Sequence, residues 1–360
     1  MKKHPPYLTA NRQINIPYLL KIGSHKIAKI GKYLFDKDMI GIALFWGEGM
    51  DEMLGDKLKG GLKEHRIEIL SEDIVTTIAI EDITATAFSL PTKTKAIVGV
   101  GGGKVLDFAK YVSNLLRLPY ISVPTSMSND GFCSPTSSLT VNGARKTVKS
   151  AIPYGVVIDL DVIADCPKVF LYSGVGDMIA KVSALWDWKS AFTHGLERYN
   201  DFASMMAYNS LDLLFLRHSS DIESSRFQRS LATSLLYSGI SMEIAGTSRP
   251  ASGSEHLISH ALDELAAKPK MHGLQVGTAA YLCAMLQNNP ETDGVRDILS
   301  ATGFFDFVAE SPFDKTEFIK AIEVAPTIKE NYYTVLSEPQ SLGRAVRLID
   351  EDPVLQRLIR

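Results

Sequence analysis

The sequence predicts an α/β domain built on a parallel sheet, followed by an all-α domain. Short apolar runs alternate with helical patterns through the first half of the chain, as in successive β-α-β units. After Cys166 and Pro167 the β-branched runs thin out, and from Lys168 onward long segments carry apolar residues at helical spacing. A length of 360 residues also exceeds what one core usually serves. The division expected is 1–167 for the α/β domain and 168–360 for the helical one.

The strands are expected at IGIALFW (Ile40 to Trp46), HRIEIL (His65 to Leu70), KAIVGVG (Lys95 to Gly101) and PYISVP (Pro119 to Pro124). Two later runs, SSLTVNG from Ser137 and YGVVIDLDVI from Tyr154, read as a hairpin and a closing strand. The helical half is typified by GDMIAKVSALWDWKSAF from Gly176 and VGTAAYLCAMLQ from Val276.

Hydrophobic residues make up 45% of the chain and charged residues 22%, a soluble globular balance rather than a disordered or fibrous one. A net charge of -3, with no long basic run, gives no general attraction to nucleic acid or anionic membrane, so both are set aside as partners. Cys133, Cys166 and Cys283 are odd in number and widely spaced, which fits a reducing cytoplasm better than a disulfide framework. The leading MKKHPPYLTANRQ has no apolar core, and no segment reaches the roughly 18 apolar residues of a membrane span.

The first chemical signal is VGVGGGKVLDFAK, Val98 to Lys110, with Gly99, Gly101, Gly102 and Gly103 between an apolar run and a helical pattern. The GxGxxG dinucleotide fingerprint fails at its last glycine, where Lys104 stands. The phosphate-binding GxxxxGK[ST] pattern fails at Val98 and Val105. What remains is the physics both share: residues without Cβ let a ligand approach the backbone, and a helix start offers free N–H groups to phosphate. The turn therefore reads as a diphosphate seat of another kind, with a plain strand-to-helix turn as the alternative. PTSMSNDGFCSPTSS, Pro124 to Ser138, is a hydroxyl-rich loop after the next expected strand, where ligands of open α/β sheets bind.

The second signal is histidine. His256, His260 and His272 lie within 17 residues, of eight histidines in all. On a helix His256 and His260 share a face, but HLISH lacks the glutamate of a zinc-protease HExxH motif. A catalytic divalent metal commonly takes three protein ligands, and the best carboxylate outside the cluster is Asp177, at the head of a long helix after SGVG. A first-turn acid is its alternative role, and spacing alone does not bring it to His256.

GVGGGKVLDFAKYVS, PTSMSNDGFCSPTSSL, GVGDMIAK, SRPASGSEHLISHALDE and MHGLQVG, in that order, resemble the sn-glycerol-1-phosphate dehydrogenases. These belong to the iron-containing alcohol dehydrogenase, glycerol dehydrogenase and dehydroquinate synthase-like superfamily. The resemblance runs from about Ile97 to Gly277. It implies a Rossmann-like nucleotide-binding domain before a helical metal- and substrate-binding domain, and it assigns a metal, usually zinc, to Asp177, His256 and His272. His260 and Asp130 match positions that contact substrate beside the metal and are candidates for a proton relay. Gly102, Gly103, Lys104, Asp107, Thr125, Ser128 and Ser134 fall on cofactor-contacting motifs, with Gly101 completing the turn. Iron-type relatives carry a fourth ligand, histidine, four residues after the aspartate. Here Lys181 stands there, so the site resembles the three-ligand zinc type.

The implied reaction interconverts dihydroxyacetone phosphate and sn-glycerol 1-phosphate by hydride transfer with NAD or NADP, the metal polarising the ketone oxygen. A phosphorylated substrate calls for cations, and Lys146, Lys149 and Arg249 are candidates, Arg249 because it lies seven residues before a ligand. Cofactor choice turns on WGEGMDEM, where Gly47 stands at the position of an acid in NAD-specific relatives and Glu48 follows; NAD is slightly favoured. Competing readings are a dehydrogenase of another polyol or cyclitol, glycerol included, a dehydroquinate synthase-like cyclase, and a non-catalytic nucleotide-binding protein. The cyclases carry glutamate where Asp177 stands. A homo-oligomer is expected.

Overall fold

The computed structural model describes residues 13–215 and 220–360. The reading of the leading stretch falls on residues 1–12 and lies outside the described residues. Among the described residues eight strands form: β1 (Leu19–Gly23), β2 (Gly41–Gly47), β3 (Glu68–Val75), β4 (Ala96–Gly101), β5 (Tyr120–Pro124), β6 (Thr136–Val141), β7 (Ala144–Lys149) and β8 (Gly155–Asp159). Six make an all-parallel sheet in the order β1-β8-β5-β4-β2-β3, and β6 and β7 form a separate antiparallel hairpin.

The sheet helices are α1 (Ile30–Phe35), α2 (Met50–Glu64), α3 (Ile80–Ser89), α4 (Gly103–Leu116) and α5 (Leu160–Ala164). Both faces of the central strands are buried, so β2, β4, β5 and β8 read as continuous apolar runs. Ile42, Leu44, Trp46, Val98, Val100 and Val123 face one core with residues of α1 and α2. Their alternates Ala43, Phe45, Ile97, Val156 and Ile158 face the other, which continues into the helical half.

Among the described residues from Lys168 onward no strand forms, and the helices are α6 (Lys168–Thr193), α7 (Asp201–Phe215), α8 (Ser225–Ala245), α9 (Ser254–Leu265), α10 (His272–Leu286), α11 (Thr292–Ala301), α12 (Phe304–Ala309), α13 (Lys315–Val324), α14 (Ser341–Glu351) and α15 (Pro353–Leu358), with short 3-10 turns between some. Among the described residues no helix is long and apolar enough to cross a membrane.

Strand order fixes where a ligand can sit. β2 leads outward to the edge strand β3, whereas β4 lies on the other flank of β2 and leads to β5 and β8. The winding reverses between β2 and β4, and the crevice beyond their carboxyl ends is where open α/β sheets bind ligands. Gly47 closes β2 there and Gly101 closes β4.

Two expectations change, and one strand was not expected. YGVVIDLDVI is a strand only to Asp159; the Asp159 carboxylate then caps α5, accepting from the Asp161 N–H at 3.2 Å. Gly174 and Gly176 do not precede a helix but lie inside α6, so Asp177 is a mid-helix residue rather than a first-turn acid. β1 joins the sheet from LLKIG, an edge segment with an exposed residue.

Candidate active site

A cleft of about 530 Å³ opens at the β2–β4 crevice. Gly47, Glu48, Gly102, Gly103, Lys104, Thr125, Ser128 and Met271 are among the residues that line it. The glycine turn is built for this position. Gly101 has φ +144, and a Cβ there would lie 2.7 Å from Val105 Cγ1 and 3.2 Å from Gly47 Cα, so the turn itself requires glycine. At Gly102 and Gly103 a Cβ would meet nothing within 4 Å. Protein packing does not demand glycine at these two; the space over them is the cleft, and the start of α4 presents its first N–H groups there. The dimensions and the donors suit a dinucleotide pyrophosphate.

The other predicted cofactor contacts divide. Thr125 and Ser128 line the cleft with the glycines and Lys104. Asp107 and Ser134 do not. Asp107 accepts from the Ser138 N–H at 3.0 Å and pairs at 3.1 Å with Lys110, a fully buried amine. Lys110 also donates to the carbonyls of Gly131 at 2.7 Å and Thr136 at 2.6 Å, and Ser134 Oγ lies 3.5 Å away. These groups fasten the loop carrying Asp130 to α4.

Beyond Met271 the next residue is His272, which opens α10. α6 and α10 touch through their backbones: a Cβ on Gly176 would lie 1.9 Å from the Gly273 carbonyl oxygen, and one on Gly273 1.8 Å from that of Ser173. This close approach sets Asp177 of α6 beside His272. His256, in the first turns of α9, completes the group. The ligand atoms of Asp177, His256 and His272 all lie within 4.8 Å of one another. His256 Nε2 is 3.6 Å and His272 Nε2 3.8 Å from Asp177 Oδ1. Each imidazole is held by its other nitrogen, His256 Nδ1 by Glu255 at 2.8 Å and His272 Nδ1 by Ser259 at 3.2 Å. Both Nε2 atoms are thereby turned toward the carboxylate. One carboxylate and two oriented imidazoles fit a divalent ion with three protein ligands.

The charges around this group are buried and balanced. Lys181, fully buried one helical turn after Asp177, lies 3.3 Å from Asp177 Oδ2 and 3.2 Å from Asp130 Oδ2. Burial would raise the Asp177 carboxyl, but Lys181, then His256 and His272, hold it far below the usual carboxylate range. Burial would lower the Lys181 amine, and the two carboxylates raise it instead. The Asp130 N–H donates to Asp177 at 3.1 Å, and its Oδ2 accepts from Ser238 at 2.6 Å. His260 sits one turn beyond His256, with ring centroids 6.4 and 6.1 Å from His256 and His272. Burial, then those two histidines, push it down to about 2, so it is a neutral imidazole. Burial and His256 likewise push His272 down to about 4, leaving a lone pair for a metal.

The structure thus gathers Asp130, Asp177, His256, His260 and His272. It does not bring Arg249 to them as a free cation. Arg249 is fully buried, its Nε donates to Glu197 at 2.7 Å, its Nη2 pairs with the other Glu197 oxygen, and its Nη1 donates to the Tyr333 carbonyl at 2.8 Å. Its guanidinium carbon also lies 3.5 Å from the Tyr332 ring centroid. Lys146 and Lys149 are exposed on β7. The sequence reading passed over Glu255, Ser259 and Ser238. The acid next to His256 was a usable signal, but the two serines left none.

Residues 21–167 match the family model for iron-containing alcohol dehydrogenase. The chain is 31% identical over 336 residues to glycerol-1-phosphate dehydrogenase (NAD(P)+) of Metallosphaera sedula, covering 90% of this chain and 93% of that one. It is 37% identical over 243 residues to the enzyme of the same name from Methanothermobacter thermautotrophicus, covering 67% of this chain and 70% of that one. Among solved structures it resembles glycerol dehydrogenase from Schizosaccharomyces pombe, with TM-score 0.78 at 18% identity over 96% of this chain and 92% of that one, a likeness of fold. With similarity to the Metallosphaera enzyme running over nine tenths of its length, the chain belongs to the glycerol-1-phosphate dehydrogenase family.

Proposed function

We propose that this chain interconverts dihydroxyacetone phosphate and sn-glycerol 1-phosphate, with NAD or NADP as hydride carrier and a divalent metal, zinc by its donor set, on Asp177, His256 and His272. The observation that carries the reading is the convergence of these three donors, one of them His272, whose chain neighbour Met271 lines the same cleft as Gly102, Gly103 and Lys104. In the reducing direction the carbonyl carbon of the substrate would gain a hydride and its oxygen a proton. When bound, the metal supplies a Lewis acid and the nicotinamide the hydride. The chain does the rest. The amides at Gly101 to Lys104 seat the pyrophosphate, and Thr125 and Ser128 flank the path toward the metal donors. Lys181 and Ser238 hold Asp130 Oδ2, which leaves Oδ1 to orient a substrate hydroxyl. His260, neutral, passes the proton between that hydroxyl and solvent. Asp107 and Ser134 act at one remove, through the Lys110 fastening. Gly47 brings no carboxylate to the ribose and Glu48 is paired with Lys104 at 2.9 Å, which supports use of either cofactor. Replacing Asp177 with Ala is expected to abolish metal retention and lower kcat/KM at least about a thousandfold. A variant that kept both metal and turnover would sink the assignment.

The division at 167/168 is supported by the change from sheet to helices alone. A homo-oligomer is supported by Phe202, Met205 and Tyr208, an exposed apolar stripe at successive turns of α7 suited to a second copy. A cytoplasmic location is supported by three unpaired cysteines.

A further inference from the structure

We propose that Gln275 and Asp263 are positioning residues for the metal: acting through Ser259, they hold the His272 imidazole with its Nε2 toward Asp177. This rests on the reading of Asp177, His256 and His272 as a metal site. The two imidazoles of that site are held differently. His256 Nδ1 meets a carboxylate directly, the fully buried Glu255, at 2.8 Å. His272 Nδ1 meets a hydroxyl instead, Ser259 Oγ, at 3.2 Å. A hydroxyl rotates and can donate or accept, so by itself it is a weak anchor for a ring that must face a metal. The groups behind Ser259 supply what it lacks.

Gln275 is fully buried on α10, three residues after His272 and on the same face of that helix. Its Nε2 lies 3.2 Å from Ser259 Oγ and 2.7 Å from Asp263 Oδ1, and donates to both. Ser259 and Asp263 are four residues apart on α9, so one amide from α10 ties together two side chains on one face of its neighbour. A carboxylate only accepts, so Asp263 fixes which end of the amide is the NH2. That nitrogen fills one lone pair of Ser259 Oγ. The other is left for the His272 Nδ1–H, where the proton must be when Nε2 binds a metal. The Gln275 Oε1 is buried without a hydrogen-bond partner among the described residues. A leucine or methionine would fill the same space without an orphaned oxygen, so packing alone does not call for the amide; its two donors do. Asp263 is itself an exposed residue. Partial burial raises its carboxyl, while Arg145 and the Gln275 bond act against that rise and favour the ionised, accepting form. The orienting charge of the His272 arm thus stands near the surface, with Gln275 and Ser259 between it and the imidazole, whereas that of the His256 arm is buried in direct contact.

The test is a zinc titration of the full chain against a chromophoric chelator, repeated with cobalt, whose visible spectrum reports ligand geometry. Gln275→Leu is expected to weaken zinc binding about tenfold and Asp263→Ala about three- to tenfold, each with an altered cobalt spectrum. Asp263→Asn keeps an accepting oxygen and should recover most of the loss. A merely structural role would instead lower the stability of the metal-free protein and leave zinc affinity and the cobalt spectrum at the parent's values, and that result overturns the proposal. Parental affinity and spectrum in Asp263→Ala overturn it even if Gln275→Leu fails to fold. A parent chain that binds no zinc overturns the metal reading itself, and the positioning role with it.

Discussion

The two ends of the site solve the problem of holding charge in opposite ways. At the glycine turn, where we propose the pyrophosphate sits, Gly102 and Gly103 offer backbone to the cleft, and the Glu48 and Lys104 side chains that also line it are about half exposed. At the proposed metal end the group is made of side chains, and Lys181, Asp177, Glu255 and His256 are all buried. A solvated pair contributes little because water screens it. A buried group of charges holds only as a complete set, since removing one member strands the others in a medium that cannot solvate them. The nucleotide end should therefore tolerate the loss of a side chain but not the gain of one, while the metal end should tolerate neither.

The sharpest way to break this contrast is Lys181→Met. It leaves Asp130 and Asp177 facing each other without their shared cation, and should lower the unfolding free energy by about 3–5 kcal/mol. Chemical denaturation of the chelated protein measures it; a loss under 1 kcal/mol would mean the pair is far better hydrated than its burial implies. Glu255→Gln keeps the shape but removes the charge that orients His256, and should weaken zinc binding about 10- to 100-fold in a competition titration with a chelator. Gly101→Ala should cost roughly 1–3 kcal/mol from the positive φ and the contact with Val105, and should raise KM for the nucleotide. Normal nucleotide affinity in that variant would place the pyrophosphate elsewhere. Glu48→Gln should change stability by less than about 1 kcal/mol while shifting the NADPH-to-NADH preference severalfold toward NADPH. A large stability loss there would erase the distinction between the two ends.

The same contrast explains what could be read from the sequence. A site made of backbone leaves a mark in composition, and the four glycines at 99–103 located the turn even though both familiar patterns failed at Lys104. A site made of side chains leaves residue types without positions. Asp177, His256 and His272 were legible as donors, but their convergence depends on Gly176 and Gly273 letting α6 and α10 touch. Arg249 misled because nearness in sequence to His256 says nothing of Glu197, 52 residues earlier, which claims it. The alternation of strands and helices was legible because the central strands are buried on both faces. β1 was not, being five residues at the sheet edge.

The central claim is that the buried donors and the glycine-floored cleft serve one hydride transfer on a phosphorylated three-carbon substrate. The most direct measurement is the consumption of NADH or NADPH by the zinc-loaded protein with dihydroxyacetone phosphate, repeated after chelation and after zinc is restored, with the stereochemistry of the product determined. The account predicts turnover that yields sn-glycerol 1-phosphate, vanishes with the metal and returns with it. Undiminished turnover in the chelated protein, or none with dihydroxyacetone phosphate in the loaded one, would contradict it.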